Sequence, residues 1–138
     1  MKKKHFKIKL VQKAAIERPA SLEGWVEKKT HGIIPTFQKR YVKVNENTKC
    51  FDYCKRATDI DTASSSIAFS MISRVESDQD DSRVLHIHVP DGEAEFTYTF
   101  RAGTAVEAVA LVDGISSWRE YLLRISDDEY REFVAVRS

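Results

Sequence analysis

Along most of this chain apolar and polar residues alternate with a period of two, and near Thr104 the pattern changes to a helical one. The alternation predicts strands over Glu23–Lys29, Phe37–Val44, Lys49–Cys54, Ile67–Ser70, Ile72–Glu76, Arg83–Val89 and Glu95–Ala102. Between them lie turn-forming stretches: Gly32 with Pro35, Asn45-Glu46-Asn47, the polar run from Thr58 to Ser66, Asp78 to Ser82, and Pro90-Asp91-Gly92. Seven short strands at this spacing point to an antiparallel sandwich or barrel. The predicted class is mostly β with one α-helix.

Alternation also assigns faces. Gly24, Val26 and Lys28 share one side of the first strand, and Gln38, Arg40, Val42 and Val44 share one side of the second. If the valines point inward, Lys28 and Arg40 lie on the inward side but at the strand ends beside the connecting loop. There they would line an open mouth. The helix should begin at Thr104-Ala-Val-Glu107, a capping box in which hydroxyl and carboxylate satisfy free backbone donors. Leu111, Ile115, Trp118 and Leu122 then form one apolar stripe that closes an end of the barrel. Gly114 interrupts good helix formers at about 1 kcal/mol, so a packing reason or an irregularity is expected there. Past Arg124, the acidic run Asp127-Asp128-Glu129 is expected to be solvated and frayed.

Composition adds a domain count and a charge asymmetry. A chain of 138 residues with 42% hydrophobic and 31% charged residues suits one globular domain with a real core. The net charge is +1, yet residues 1 to 18 carry seven basic residues against Glu17 alone, a net of +6, leaving −5 elsewhere. The chain therefore divides into a basic arm (1–20), a folded domain (21–125) and an acidic tail (126–138). A basic arm on a mildly acidic body argues against a nucleic-acid reader, whose cations lie on the folded face. No stretch approaches the roughly 20 apolar residues that span a bilayer, and the lysine-broken N-terminus does not read as a secretory signal. Cys50 and Cys54, four apart in one strand, would sit about 13 Å apart, beyond disulfide reach. Two unpaired thiols fit a cytoplasmic protein.

Leu22-Glu-Gly-Trp-Val-Glu-Lys-Lys29, Phe37-Gln-Lys-Arg-Tyr-Val42, Tyr53 and Trp118, in this order and spacing, resemble the pleckstrin homology (PH) family over about residues 21 to 125. The resemblance implies a seven-stranded, bent antiparallel barrel capped by the C-terminal helix, with anionic headgroups bound at the open end. It places Lys28 and Arg40 on the phosphates and Tyr53 at a position that can hydrogen-bond one. Gln38 stands where the family's binders carry a further basic residue. The lipid class accordingly stays open between phosphatidic acid, phosphatidylserine and a phosphoinositide.

The first hairpin combines the two requirements of membrane docking. Ile33, Ile34 and Pro35 form an apolar tip in a loop that would ordinarily be polar, and Lys28, Lys29, Lys39 and Arg40 flank it. The tip either inserts into a membrane or folds back as a lid on the core. Lys2, Lys3, Lys4, Lys7 and Lys9 offer a second electrostatic contact. His86 and His88, at alternate positions of one strand, are expected to face solvent. Without a third ligand at sensible spacing they make no metal site. No nucleophile with its base, glycine-rich phosphate loop or paired carboxylates in a cleft is visible, so neither enzyme nor cofactor is expected. The expected protein is a monomeric peripheral membrane module for anionic lipids. The alternative is a protein-interaction module that takes a peptide or partner in the groove between the helix and a neighbouring strand, because a fold does not choose its ligand.

Overall fold

A computed structural model describes residues 17–62 and 64–137, with side chains through Ser126. Seven strands form a single antiparallel sheet: β1 (Glu23–Lys29), β2 (Phe37–Asn45), β3 (Cys50–Cys54), β4 (Ser65–Ala68), β5 (Arg74–Ser77), β6 (Val84–Asp91) and β7 (Ala94–Arg101). Their spatial order is β4-β3-β2-β1-β7-β6-β5. One helix, α1 (Ala105–Arg137), follows. The expected class and strand number are therefore met.

The boundary differences have local causes. Phe69–Met71 forms a 3-10 turn rather than the end of a strand, so β4 ends at Ala68 and β5 begins only at Arg74. The turn lets Phe69 and Ile72 both enter the core at 1% exposure, which strict alternation along one strand would not allow. Pro90 belongs to β6, opposite Glu95, and Asp91 pairs with Ala94. The loop shrinks to Gly92-Glu93, with Gly92 at φ 62°, the left-handed value that favours glycine. Lys49, the turn residue just before β3, takes a similar φ of 57°.

The inner face is apolar as alternation requires. Val26, Val42, Phe51, Leu85, Ile87 and Phe100 are buried in one cluster. The α1 stripe joins it: Ile115, Trp118 and Leu122 are buried, Leu111 is half-buried, and Ala108 extends the stripe by a turn. The threonine of the capping box is in place, with the Glu107 N–H donating to Thr104 Oγ1 at 3.1 Å. Trp118 donates its indole N–H to the Ala20 carbonyl at 3.0 Å, and Arg119 Nε donates to the Ile72 carbonyl at 2.7 Å. Together they fasten the helix to the segment before the central strand β1 and to the one before the edge strand β5. Gly114 has its packing reason, since a Cβ there would collide with Leu22 Cδ1.

The helix does not stop at Arg124. The helix runs on to Arg137, through a stretch without glycine or proline to stop it. Cys50 and Cys54 are free thiols. Among the described residues no helix is long and apolar enough to cross a membrane.

Truncating a stripe residue should show that α1 is part of the core. Ile115→Ala is expected to lower unfolding free energy by about 2–5 kcal/mol in urea melts. Val106→Ala, on the exposed side of the same helix, is expected to change it by less than about 0.5 kcal/mol.

Candidate functional site

The site follows from the register of the first hairpin. Lys28 pairs with Gln38 and Val26 with Arg40, so these four residues share the inner face with Val42. Val26 and Val42 are buried, whereas Lys28 and Arg40, one step toward the loop, are only half-covered. Across the mouth, β7 sets Lys28 opposite Phe100, and Tyr98 and Phe96 follow on the same face. Tyr53 comes in from β3.

Lys28 Nζ lies 5.4 Å from the Tyr53 ring centre and 5.8 Å from that of Tyr98. The two rings stand edge to face at 6.3 Å. This aromatic seat favours the cation through the ring quadrupoles while keeping water away. Removal from water, and secondarily the positive charge of Arg40, lower the Lys28 pKa below its ordinary 10.5. Arg40 is held along its own strand: Nη2 donates to Gln38 Oε1 at 3.0 Å and Nη1 to the Lys39 carbonyl at 2.7 Å. Gln38 thus does more than leave out a charge, because it steers the neighbouring guanidinium. Burial pushes the Tyr53 phenol above its ordinary 10, with Tyr98 adding to the effect and the Ser65 hydrogen bond and Arg40 opposing it. The mouth therefore gathers two mutually repelling cations beside two tyrosine rings, a set whose repulsion an anion would relieve.

Lys29 and Lys39 are not in this mouth. They lie on the outer face, where Lys39 Nζ sits 4.4 Å from the Trp25 ring centre. Near them, Arg101 is paired with Glu27 at 3.0 Å and stacks over Phe37. In the loop, Ile33 and Ile34 are 104% and 79% exposed, so they do not cap the core. The loop leans on β7 through His31, whose ring is 4.8 Å from that of Phe96. Phe96, 37% exposed and 4.8 Å from Tyr98, carries an apolar surface from the tip to the mouth. Alternation on β7 alone would have put Phe96 and Tyr98 on the face of Phe100. At the adjoining β6–β7 connection, Asp91 at the end of β6 and Glu93 in the turn are both exposed, so this rim is acidic. Lys2, Lys3, Lys4, Lys7 and Lys9 lie outside the described residues.

His86 and His88 occupy the outer face as expected, but they do not face solvent freely. His86 Nε2 is 2.7 Å from Asp78 Oδ1 and its Nδ1 is 2.9 Å from Thr99 Oγ1. His88, 7% exposed, bridges Glu76 Oε1 at 2.8 Å and Thr97 Oγ1 at 2.9 Å. Cross-strand threonines and carboxylates from the β5 side cover both rings, which alternation along one strand could not show. No group of three or more metal-ligating side chains occurs among the described residues.

No protein-family model and no curated protein matches the chain. Solved structures do. The human oxysterol-binding protein-related protein 11 PH domain superposes with a TM-score of 0.63 at 16% identity, over 76% of this chain and 84% of that one. The PH domain of human TBC1 domain family member 2 gives 0.63 at 18%, over 76% and 85%. The Slm1 PH domain, solved with inositol-4-phosphate, gives 0.58 at 15%, over 74% and 98%. The chain therefore has the PH-domain fold.

The outer-face ladder makes a pH prediction. Hydrogen bonding to His86 first, then to the Asp81 and Asp80 backbone N–H groups, brings the Asp78 pKa from its ordinary 3.8 to about 2. A depressed carboxylate stabilises the fold fully above its unfolded-state pKa and progressively less as pH falls through its folded-state value. In urea melts, the stability difference between wild type and Asp78→Asn should shrink as pH falls from about 4 to about 2. An unchanged difference across that window would remove Asp78 from the account.

Proposed function

We propose that this domain is a non-enzymatic peripheral membrane module that takes the phosphate of an anionic phospholipid at the β1–β2 mouth. The observation that carries the reading is the meeting of Lys28 and Arg40 over an aromatic seat, with a bare isoleucine tip on the same hairpin. Lys28 and Arg40 hold the phosphate, and Tyr53 supplies a phenol hydrogen bond. Relief of the Lys28–Arg40 repulsion adds to the attraction. Lys29 and Lys39, on the outer face, contribute about 1 kcal/mol each near an anionic surface. Lys2, Lys3, Lys4, Lys7 and Lys9 supply further attraction of the same kind.

Ile33, Ile34 and Pro35 act as a wedge that requires no headgroup identity. Full transfer of each isoleucine out of water contributes at most about 1.5–3 kcal/mol. One hairpin with these terms binds weakly, which suits a module that works with a second contact. Phosphatidic acid, phosphatidylserine and phosphoinositides all present the required phosphate. The inositol phosphate held by the Slm1 domain supports the phosphoinositide among them. A peptide-binding role would use a different place, beside Leu111 on α1.

Co-sedimentation with vesicles of each lipid, at two salt concentrations, tests both devices. Lys28→Glu with Arg40→Glu should abolish the difference among headgroups, and Ile33→Glu with Ile34→Glu should weaken binding to every anionic vesicle by about tenfold or more. Unaltered headgroup preference in the first variant would sink the mouth as the binding site. On phosphate binding the Lys28 amine should titrate at a higher pH, read by NMR of its side chain. A fixed value with saturating soluble inositol phosphate would exclude Lys28 as a ligand.

A further inference from the structure

At the end of β1 away from the mouth, a groove of about 980 Å³ separates α1 from the start of the strand and the segment leading into it. It follows α1 from Glu107 to Ser117, about 15 Å of helix axis. Leu22 on the strand side and Ala110 and Leu111 on the helix side make its walls apolar. Its charged lining is four carboxylates, Glu107 and Asp113 of α1 among them, against Arg18 alone. Arg18 is already engaged, bonded to Glu46 and lying over the Trp118 ring. Glu107 and Asp113 are exposed and have no ion-pair partner among the described residues. No basic residue occurs from Ala102 to Trp118, so this half of the helix leaves its own acidic face unneutralised.

Backbone pairing leaves room in the same place. β7 reaches β1 only at Glu27 and Lys28, so the edge of residues 23–26 has no strand beside it among the described residues. A bare strand edge takes an added extended segment through backbone hydrogen bonds, and the side chains beside it select which segment. Here the selecting surface is one face of α1. Along the helix axis Glu107 precedes Leu111 by about 6 Å, and Asp113 follows it by about 3 Å. In an extended segment, residues i, i+2 and i+4 point the same way at intervals of about 6.8 Å. A cation, an apolar residue and a second cation at those three places meet Glu107, Leu111 and Asp113 from a single side of the segment. The flexible four-carbon stem of lysine takes up the difference in spacing.

We propose that this groove binds an extended segment of a partner protein in which one apolar residue has a lysine or arginine two positions away on either side. The segment adds along residues 23–26 of β1 with that side turned to α1. Its apolar residue packs on Leu22 and Leu111, and its cations pair with Glu107 and Asp113. Charge complementarity chooses this occupant, because an acidic segment or an anionic headgroup would meet like charge there. Docking uses none of the mouth residues, so it stands whether or not the domain binds lipid. It also leaves the opposite end of β1 open, so a protein partner and a membrane can be held at the same time.

The test uses the full chain and the synthetic peptide acetyl-Thr-Lys-Thr-Leu-Thr-Lys-Thr-amide, read by NMR of the backbone amides. Peaks of residues 23–26 and 110–114 should shift on titration, while those of Lys28 and Arg40 stay in place. The same peptide with glutamate at both lysine positions should shift neither group. Glu107→Gln with Asp113→Asn, two exposed positions, should weaken binding about fivefold. Ala110→Arg, exposed within the groove, should abolish it. Equal binding of the glutamate peptide, or full affinity in the Glu107→Gln/Asp113→Asn protein, would overturn the proposal. So would shifts confined to the mouth, or no shift at about 5 mM peptide, above the dissociation constants of weak complexes. A dimer of the free chain that Ala110→Arg dissociates in sedimentation would give the groove to a second copy and overturn it as well.

Discussion

The structure depends on one indole. A seven-stranded sheet bent on itself leaves its apolar face open at one end, and α1 closes that opening with Ile115, Trp118 and Leu122. Trp118 is 1% exposed and can be buried so deeply only because its N–H finds the Ala20 carbonyl. That bond joins the helix to the segment before β1, two residues ahead of Leu22, which occupies the space that Gly114 leaves. Placement of Ala20 and Leu22 fixes where β1 starts. The Leu22 carbonyl then accepts from the Val44 N–H, extending the hairpin pairing. The helix thus helps to hold a strand whose other end carries the candidate ligands.

β1 has a different use at each end. Its register with β2 is continuous over seven residue pairs, whereas its register with β7 covers only two. Where β7 meets it, Lys28 is drawn over two phenol rings and loses part of its hydration. Where β7 has diverged, the strand edge borders the acidic groove. Both features follow from the same pairing, in which β1 belongs to two strand pairs but keeps the second for only two residues.

The opposite side of the molecule shows how polar side chains are packed without a site. His86 and His88 each bridge a threonine on β7 to a carboxylate on the β5 side, and Arg74 closes the set by pairing with Glu95 at 3.1 Å. Each imidazole has partners at both nitrogens, so burying His88 leaves no polar atom of the ring unmet. The pair binds three strands laterally, in a way that two free histidines would not.

Strand number, inner and outer faces, the threonine cap of the helix and its stripe were all legible in the sequence, because each rests on a period of two or 3.6 and on local turn chemistry. Those rules also put Lys28 and Arg40 together on the inward side next to a loop with an isoleucine tip. They did not reveal that Tyr98 and Phe96 complete the mouth or that Gln38 orients Arg40. Nor did they show that Lys39 turns outward onto Trp25, that carboxylates cover the histidines, or that a groove opens beside the start of β1. All of these require knowing which strands become neighbours and in what register. The sequence by itself determined what each residue could face, since that depends on the residues next to it in the chain. Only the tertiary structure decided what each residue does face, because pairing between β1 and β7 joins residues more than seventy positions apart.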